Sequence, residues 1–441
     1  MKRIASTIIF SACFVVAANA QTKEWTLQEC TNYAVENNLS IKRNEDNLHR
    51  QELQLNSAQN AYLPTVSAGI GQNFSFGRGL TADNTYSNTN TRSTSFDIGA
   101  SINLFNGFQT KNNVELSKLN LAASTADLEK AKNDIRVQVA QSYVQILYDM
   151  EIEDVARRQI AIDSAQVARM ESLVANGRAS EAELSQQRAT LANSQLTLTQ
   201  AINNKKLALL NLSQLLELPD ADNFAIVRPD TSSINNSQII INNDSASSIN
   251  YERPEILAEQ IRLEATEYSL KIAKGQALPS LNLSAGMGTN YYNSSNGFKV
   301  ESFGRQLDNN FSQYIGLNLS IPIFNKFSVR NNVRDARIQQ YSQQHSLDLA
   351  RKNLYKEIQQ ATLNAANASA KVTAAREAVR NSETAFRLAQ ARYENGKSTV
   401  TEFNESKNNF LRSQSDLAQA VYENMYNAML LRWYQGAEMG W

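Results

Sequence analysis

Residues 104–114 read LFNGFQTKNNV, and residues 323–333 repeat the phrase as IFNKFSVRNNV. The two phenylalanines, the three asparagines and the valine of the first copy recur in the second at one constant offset, from position 104 to position 323. Asn176-Gly177-Arg178 falls on Asn395-Gly396-Lys397 with the same offset, and Leu63-Pro64 falls on Leu278-Pro279 with a slightly shorter one. Internal matches at a fixed distance indicate two copies of one structural unit, so this stretch decides the fold.

The organisation of the chain follows from these matches and from its N-terminus. Lys2 and Arg3 precede an apolar run at 4–16 and an A-x-A site at 18–20, which is typical of a secretory signal peptide. We therefore expect a signal peptide at 1–20, a first repeat at 21–225, an Asn/Ser-rich linker at 226–249, a second repeat at 250–433 and a tail at 434–441.

Two hairpins of strands are predicted, at 65–105 and 280–324. Each is preceded by a helical segment, at 26–61 and 252–277, that ends near a Leu-Pro pair. Apolar residues then alternate with Ser, Gly and Asn, which is typical of a strand with one apolar and one polar face. The apolar positions are Val66, Ala68, Ile70, Phe74, Phe76, Phe96, Ile98, Ala100, Ile102, Leu104, Leu281, Leu283, Ala285, Met287, Ile315, Leu317, Leu319 and Ile321.

The length and polar face of these strands are typical of strands that cross an outer membrane. Four strands cannot close a barrel, and an open edge in lipid would leave backbone groups unpaired. Since the smallest membrane barrels have about eight strands, the chain must combine with copies of itself. Two chains would supply about eight strands and three would supply about twelve.

Long helical hairpins are predicted at 109–216 and 328–432. Residues 109–175 and 328–394 contain neither proline nor glycine, so each segment would be roughly 100 Å long as a helix. The returning helices repeat apolar residues every seven positions, with one polar interruption at Lys205 in the first copy and at Asn424 in the second. Heptads of this kind predict antiparallel coiled-coil packing.

Strand hairpins, very long helices, an internal repeat and a signal peptide together resemble the TolC-like outer-membrane efflux proteins. The resemblance covers about 24–433 and rests on the order of LPTVSAGIG and LPSLNLSAGMG, INLFNGF and IPIFNKF, and NGRASEAEL and NGKSTVTEF. It implies an α+β membrane protein, a homotrimer with a twelve-stranded transmembrane barrel in the outer membrane of a Gram-negative bacterium. The barrel would be continued by an α-helical periplasmic tunnel that meets a periplasmic adaptor and an inner-membrane pump.

The resemblance also assigns candidate site residues. Glu402 and Glu405 follow the turn glycine Gly396 by six and nine residues, and Glu183 follows Gly177 by six. Together with Tyr393 they are expected to line the pore at the periplasmic gate, although Glu402 and Glu405 stand where the best-known member of the family has Asp. The alternative is that they are ordinary solvated carboxylates on helix surfaces. The expected adaptor-docking tip comprises Asn176, Gly177, Arg178, Asn395, Gly396 and Lys397.

Other functional classes find less support in the sequence. Acidic and basic residues balance at 43 each, which does not favour nucleic-acid binding. His49 with Glu52 and His345 with Asp348 each offer two ligands on one helical face without a third, so no metal, cofactor or catalytic site is expected. The resemblance implies that the chain is the outer-membrane exit duct of a tripartite efflux or type I secretion system. An exported structural or adhesive coiled-coil protein is the alternative, and the cargo cannot be read from the sequence.

Overall fold

A computed structural model describes residues 24–80, 85–219, 224–229, 253–295 and 301–440. The predicted signal peptide, most of the predicted linker and parts of both loops between strands lie outside these ranges. The described part of the first repeat contains β1 (Glu24–Trp25), α1 (Leu27–Asn37), α2 (Leu39–Asn60), β2 (Thr65–Ser75), β3 (Arg78–Leu80), β4 (Tyr86–Asn88), β5 (Thr91–Asn106), α3 (Gln109–Ala175) and α4 (Glu181–Leu215).

After α4 come β6 (Ala225–Ile226), α5 (Pro254–Gly275), β7 (Ser280–Ser294), α6 (Phe303–Asn309), β8 (Ser312–Ser320), α7 (Ser328–Glu394) and α8 (Val400–Tyr434). The two unbroken 67-residue helices, α3 and α7, confirm that the segments without proline and glycine are continuous helices. Within the described ranges, no helix is both long and apolar enough to cross a lipid bilayer.

The chain forms two compact units, and each contains parts of both sequence repeats. The first unit comprises 1–39, 133–247 and 358–441, and the second comprises 40–132 and 248–357. The long helices α3 and α7 are each divided between the two units. The repeat bounds at 21–225 and 250–433 concern the sequence and stay a prediction.

The second unit contains an antiparallel four-stranded sheet with the order β2-β5-β7-β8. The residue pairs between β2 and β5 recur between β7 and β8 when each residue is shifted by the offset of its part of the repeat. Val66 pairs with Ala100, and their equivalents in the second repeat, Leu281 and Leu319, pair with each other. The apolar positions therefore form continuous rows, and many of these side chains are more than half exposed, including Ile70 at 76% and Ile315 at 78%.

Several predicted bounds need correction. The helix expected over 26–61 is interrupted at Asn38, whose backbone is extended and whose side-chain amide donates to the carbonyl of Leu215 at 2.9 Å. The second hairpin does not extend to 324, because β8 ends at Ser320 and Pro322 has no N–H for a ladder. The small hairpin β3–β4 and helix α6 were not predicted, since loops rich in Asn and Ser carry no clear periodicity.

The first unit is packed around the helices of both hairpins. Leu212, Phe403 and Leu431, three of the apolar residues in the seven-residue repeats of the returning helices, are buried, so these rows face the interior of the unit. Tyr143 of α3 is also buried, and its hydroxyl donates to the carbonyls of Trp25 and Val227 at 3.1 and 2.6 Å, fastening the parallel pair β1–β6.

Candidate functional site at the helix turns

The turns of the two helical hairpins have the same geometry. Gly177 and Gly396 have φ of 68° and 69°, a left-handed conformation that favours glycine. The following amides close the helix ends, since Arg178 N donates to Leu173 O at 2.9 Å and Lys397 N donates to Arg392 O at 2.8 Å. Local turn chemistry therefore accounts for both glycines.

The side chains at the predicted tip divide into two groups. The amides of Asn176 and Asn395 each donate at 2.7 Å to a carbonyl one turn earlier, in Ser172 and Ala391 respectively. Arg178 and Lys397 are exposed beyond the helix ends. The two cations are thus the residues of the tip that the turn itself does not require.

Two of the predicted gate carboxylates lie in helix caps. Ser180 Oγ accepts from Glu183 N at 3.2 Å, and Glu183 Oε2 accepts from Ser180 N at 3.0 Å, which together make a capping box. At the second turn, Thr399 Oγ1 accepts from Glu402 N at 3.3 Å, and Glu402 accepts from the hydroxyl of Ser398. The sequence pattern S/T-x-x-E at both helix starts could have revealed this role.

Tyr393 is half-buried between the two hairpin ends. Its ring stacks on Phe403, with centroids 5.0 Å apart, and Arg169 Cζ lies 5.5 Å from its centroid. Burial raises the pKa of Tyr393, the charge of Arg169 opposes this, and the charge of Glu183 adds to it. Arg169 also donates to the carbonyl of Glu394 at 2.8 Å, so its side chain connects α3 to the last residue of α7.

The hairpin interiors at these ends differ in chemistry. In the first, Val167, Met170 and Leu184 form a buried cluster. In the second, Phe386 and Phe403, at the positions equivalent to Val167 and Leu184, lie 5.8 Å apart between ring centroids. The second hairpin end is therefore aromatic where the first is aliphatic.

Glu405 is exposed on α8, and Glu183 and Glu402 are exposed as well. The structure thus brings Tyr393 near the charge of Glu183 and leaves the three carboxylates at the surface of this chain. Their role in lining a pore stays a prediction.

A buried ionic cluster lies further along the helices and was missed in the sequence. Lys407 Nζ forms an ion pair with Asp163, and their side chains are 0% and 2% exposed. The hydroxyl of Ser194 donates to the other carboxylate oxygen of Asp163 at 2.5 Å and accepts from Gln159 Nε2 at 3.0 Å. Because 244 residues separate Asp163 from Lys407, no local spacing could have indicated the pair.

Lys205, the polar interruption in the first heptad row, has a partner. Its Nζ lies 2.5 Å from Glu153 Oε2, and the other carboxylate oxygen of Glu153 accepts from Arg157 at 2.5 Å. The equivalent interruption, Asn424, has a buried Oδ1 without a hydrogen-bond partner among the described residues. His49, one of the two histidines considered as metal ligands, is exposed, and its Nδ1 lies 3.0 Å from Glu52 Oε2.

Comparison with solved structures identifies the fold as that of outer-membrane channels. The CmeC outer membrane channel of Campylobacter jejuni superposes with a TM-score of 0.75, covering 94% of this chain and 87% of that chain at 19% identity. The sequence pattern of the family described as "Outer membrane efflux protein" matches residues 31–217 and 246–430. The chain belongs to the outer membrane efflux protein family.

Relatives agree with this assignment. The outer membrane efflux protein BepC of Brucella suis is 21% identical over 424 residues, covering 95% of this chain and 87% of the relative. The pyoverdine export outer membrane protein OpmQ of Pseudomonas putida is 25% identical over 370 residues, covering 79% and 72%. The predicted TolC-like resemblance is confirmed. The chain is an outer-membrane exit duct for efflux in a Gram-negative bacterium, from a family of channel and transport proteins.

Proposed function

We propose that three copies of this chain close a twelve-stranded barrel in the outer membrane and that their helices continue it into the periplasm. Cargo would enter from an inner-membrane pump through a periplasmic adaptor that docks on the turns at Arg178 and Lys397. The observation behind this proposal is that strands pair in the same way in the two sequence repeats, β2 with β5 and β7 with β8. The same equivalence predicts how β8 of one chain would pair with β2 of the next. β2 and β8 are the edge strands of the sheet, and each would need a partner in lipid.

The register of that partner follows from the pair at the centre of the sheet. Phe96 of β5 pairs with Thr289 of β7. The offset that relates LFNGF to IFNKF carries Phe96 onto Ile315 of β8, and the offset that relates the two Leu-Pro pairs carries Thr289 back onto Phe74 of β2. Ile315 of one chain is therefore expected opposite Phe74 of the next chain.

Engineered cysteines test this register. Within one chain, Ile315 lies in the same row of the sheet as Val66, three strands away. Phe74 is eight residues further along β2, so the two positions are roughly 30 Å apart, which is too far for a disulfide. We expect I315C/F74C to give disulfide-linked trimers in outer-membrane fractions on non-reducing gels. The control I315C/I70C moves one cysteine four residues along β2, about 13 Å, and should remain monomeric. Linked trimers in the control alone, or dimers as the limiting species, would contradict the proposal.

The proposal also assigns a position to the three exposed carboxylates near the helix turns. Glu402, Glu405 and Glu183 would face the axis near the periplasmic end, where a ring of carboxylates attracts cations. Tyr393 would hold the second hairpin end against the first through its contacts with Phe403 and Arg169. The three carboxylates are exposed on this chain and are therefore available to face an axis between chains.

A further inference from the structure

Each strand-to-helix junction holds an aromatic residue in a strained backbone conformation. Phe108 and Phe327 have φ of 62° and 61°, which bulky residues rarely adopt. Their side chains are nevertheless 57% and 53% exposed, so packing within the chain does not require the rings there. Strain of this kind at equivalent positions of both repeats points to a function for the exposed rings.

A second phenylalanine supports each exposed ring. Phe105 and Phe108 meet edge to face with centroids 5.0 Å apart, and Phe324 and Phe327 do so at 5.4 Å. The ladder shifts register between Asn103 and Phe105, and this bulge places Phe105 opposite Leu281 in the apolar row. The first ring pair therefore lies at the edge of the apolar face of the sheet.

A cation follows each ring pair by three residues. Arg330 Cζ lies 4.3 Å from the centroid of the Phe327 ring, and Lys111 occupies the equivalent position after Phe108. Both cations are exposed, and residues 105–114 and 324–333 contain no Asp or Glu. The next carboxylates along the helices have other partners, since Glu115 pairs with Lys118 at 2.9 Å and Asp335 accepts from Gln339 at 2.8 Å. The surface beside the rings is therefore positive and complementary to an anion.

Assembly would leave this surface open. β5, which leads into the first junction, already has β2 and β7 on its two sides within the chain, and Phe108 is still exposed. By the repeat, β8 would have β7 and the next chain's β2 on its two sides. Phe327 and Arg330 should therefore stay as exposed as their counterparts in the first repeat.

We propose that these two phenylalanine–cation brackets, Phe105, Phe108 and Lys111 in one repeat and Phe324, Phe327 and Arg330 in the other, bind anionic phospholipids of the periplasmic leaflet. The inference rests on the proposed function, which puts the apolar strand face in lipid and the junctions at its periplasmic boundary. Exposed rings at that depth lie among the head groups, and the neighbouring cation contacts the phosphate.

Lipid retention measures this binding. The full-length mature protein is placed in nanodiscs of phosphatidylcholine with phosphatidylglycerol, released into mild detergent, and weighed by native mass spectrometry. We expect the wild-type trimer to retain phosphatidylglycerol in preference to phosphatidylcholine. K111Q/R330Q should reduce the phosphatidylglycerol retained per trimer by about half or more, because each bracket loses its charge. K111R/R330K, which keeps both positive charges, should retain as much phosphatidylglycerol as the wild type.

The repeat provides a matched control. Lys118 and Arg337 are exposed, equivalent cations on the same helices, so K118Q/R337Q removes equal charge two helical turns away and should retain lipid as the wild type does. Equal losses in both variants would overturn the proposal, as would unchanged retention in K111Q/R330Q or no preference for phosphatidylglycerol in the wild type. A wild-type chain that enters nanodiscs only as a monomer would instead contradict the trimeric duct.

Discussion

Lys407 of α8 and Asp163 of α3 form a fully buried ion pair that joins the two helical hairpins of one chain. Removing one charge would leave the other without compensation in a low-dielectric interior. We expect K407M to lower the apparent free energy of unfolding by about 3–5 kcal/mol, and D163L/K407M to cost less because neither charge remains. Circular dichroism of the purified protein during urea unfolding provides the measurement.

The exposed pair Arg188–Glu171, 2.9 Å long, is a suitable control. R188Q should cost no more than about 1 kcal/mol. If K407M were as mild as R188Q, the buried pair would not contribute as its geometry indicates.

The stability of the first unit should depend on pH through the carboxyl group of Glu153. Burial alone would raise the pKa of Glu153, but hydrogen bonds and charges of Lys205 and Arg157 lower it overall. A carboxyl whose pKa is lower in the folded state stabilises the fold above its unfolded pKa, and this contribution disappears as pH falls through the folded pKa. We therefore expect E153Q to be less stable than the wild type at neutral pH, with the difference shrinking below about pH 4. Melting temperatures measured across that range would show a constant difference if Glu153 were not coupled to folding.

The hydroxyls that cap α4 and α8 should stabilise their first turns. S180A and T399A each remove an acceptor for a helix amide, which costs about 1 kcal/mol. Hydrogen exchange at the amides of Glu183 and Glu402 should become faster, while exchange in the middle of α4 should be unchanged. Unaltered exchange at these two amides would mean that the caps do not hold in solution.

Glu405 allows the predicted acidic ring to be tested without disturbing a cap. It is exposed on α8, one turn beyond the capping residue Glu402. If it lines the pore, E405Q should reduce the preference of single channels in planar bilayers for cations over anions. E36Q, which neutralises an exposed carboxylate on α1, should leave the preference unchanged. The same selectivity in wild type and E405Q would argue against a pore-lining position.

The helix turns should contact a periplasmic adaptor. A photo-crosslinking amino acid at Lys397 is expected to capture that partner in living cells, because Lys397 is exposed and the turn geometry does not need its side chain. The same amino acid at Lys42, an exposed position on α2, serves as the control. Identical products from the two positions, or none from Lys397 in correctly inserted protein, would contradict docking at the turns.

Much of the architecture could be predicted from the sequence because it depends on local periodicity. Alternation by two located the strands, and the absence of proline and glycine located the 67-residue helices. The turn glycines were equally accessible, since their positive φ is a local requirement. The repeated LFNGF and IFNKF stretches lie between the predicted strands and the predicted long helices, and the structure has its strand-to-helix junctions at both stretches.

Tertiary structure decided what local patterns cannot specify. Asn38 interrupts the first helix because its side chain bonds Leu215, which is distant in sequence. Lys407 is buried because Asp163 faces it from another helix, and the half-buried Lys205 pairs in the same way with Glu153. The bulge beside Phe105 depends on its register with β7. Periodicity along the sequence thus determined which elements form, whereas partners far apart in the chain became visible only once the helices and strands were packed together.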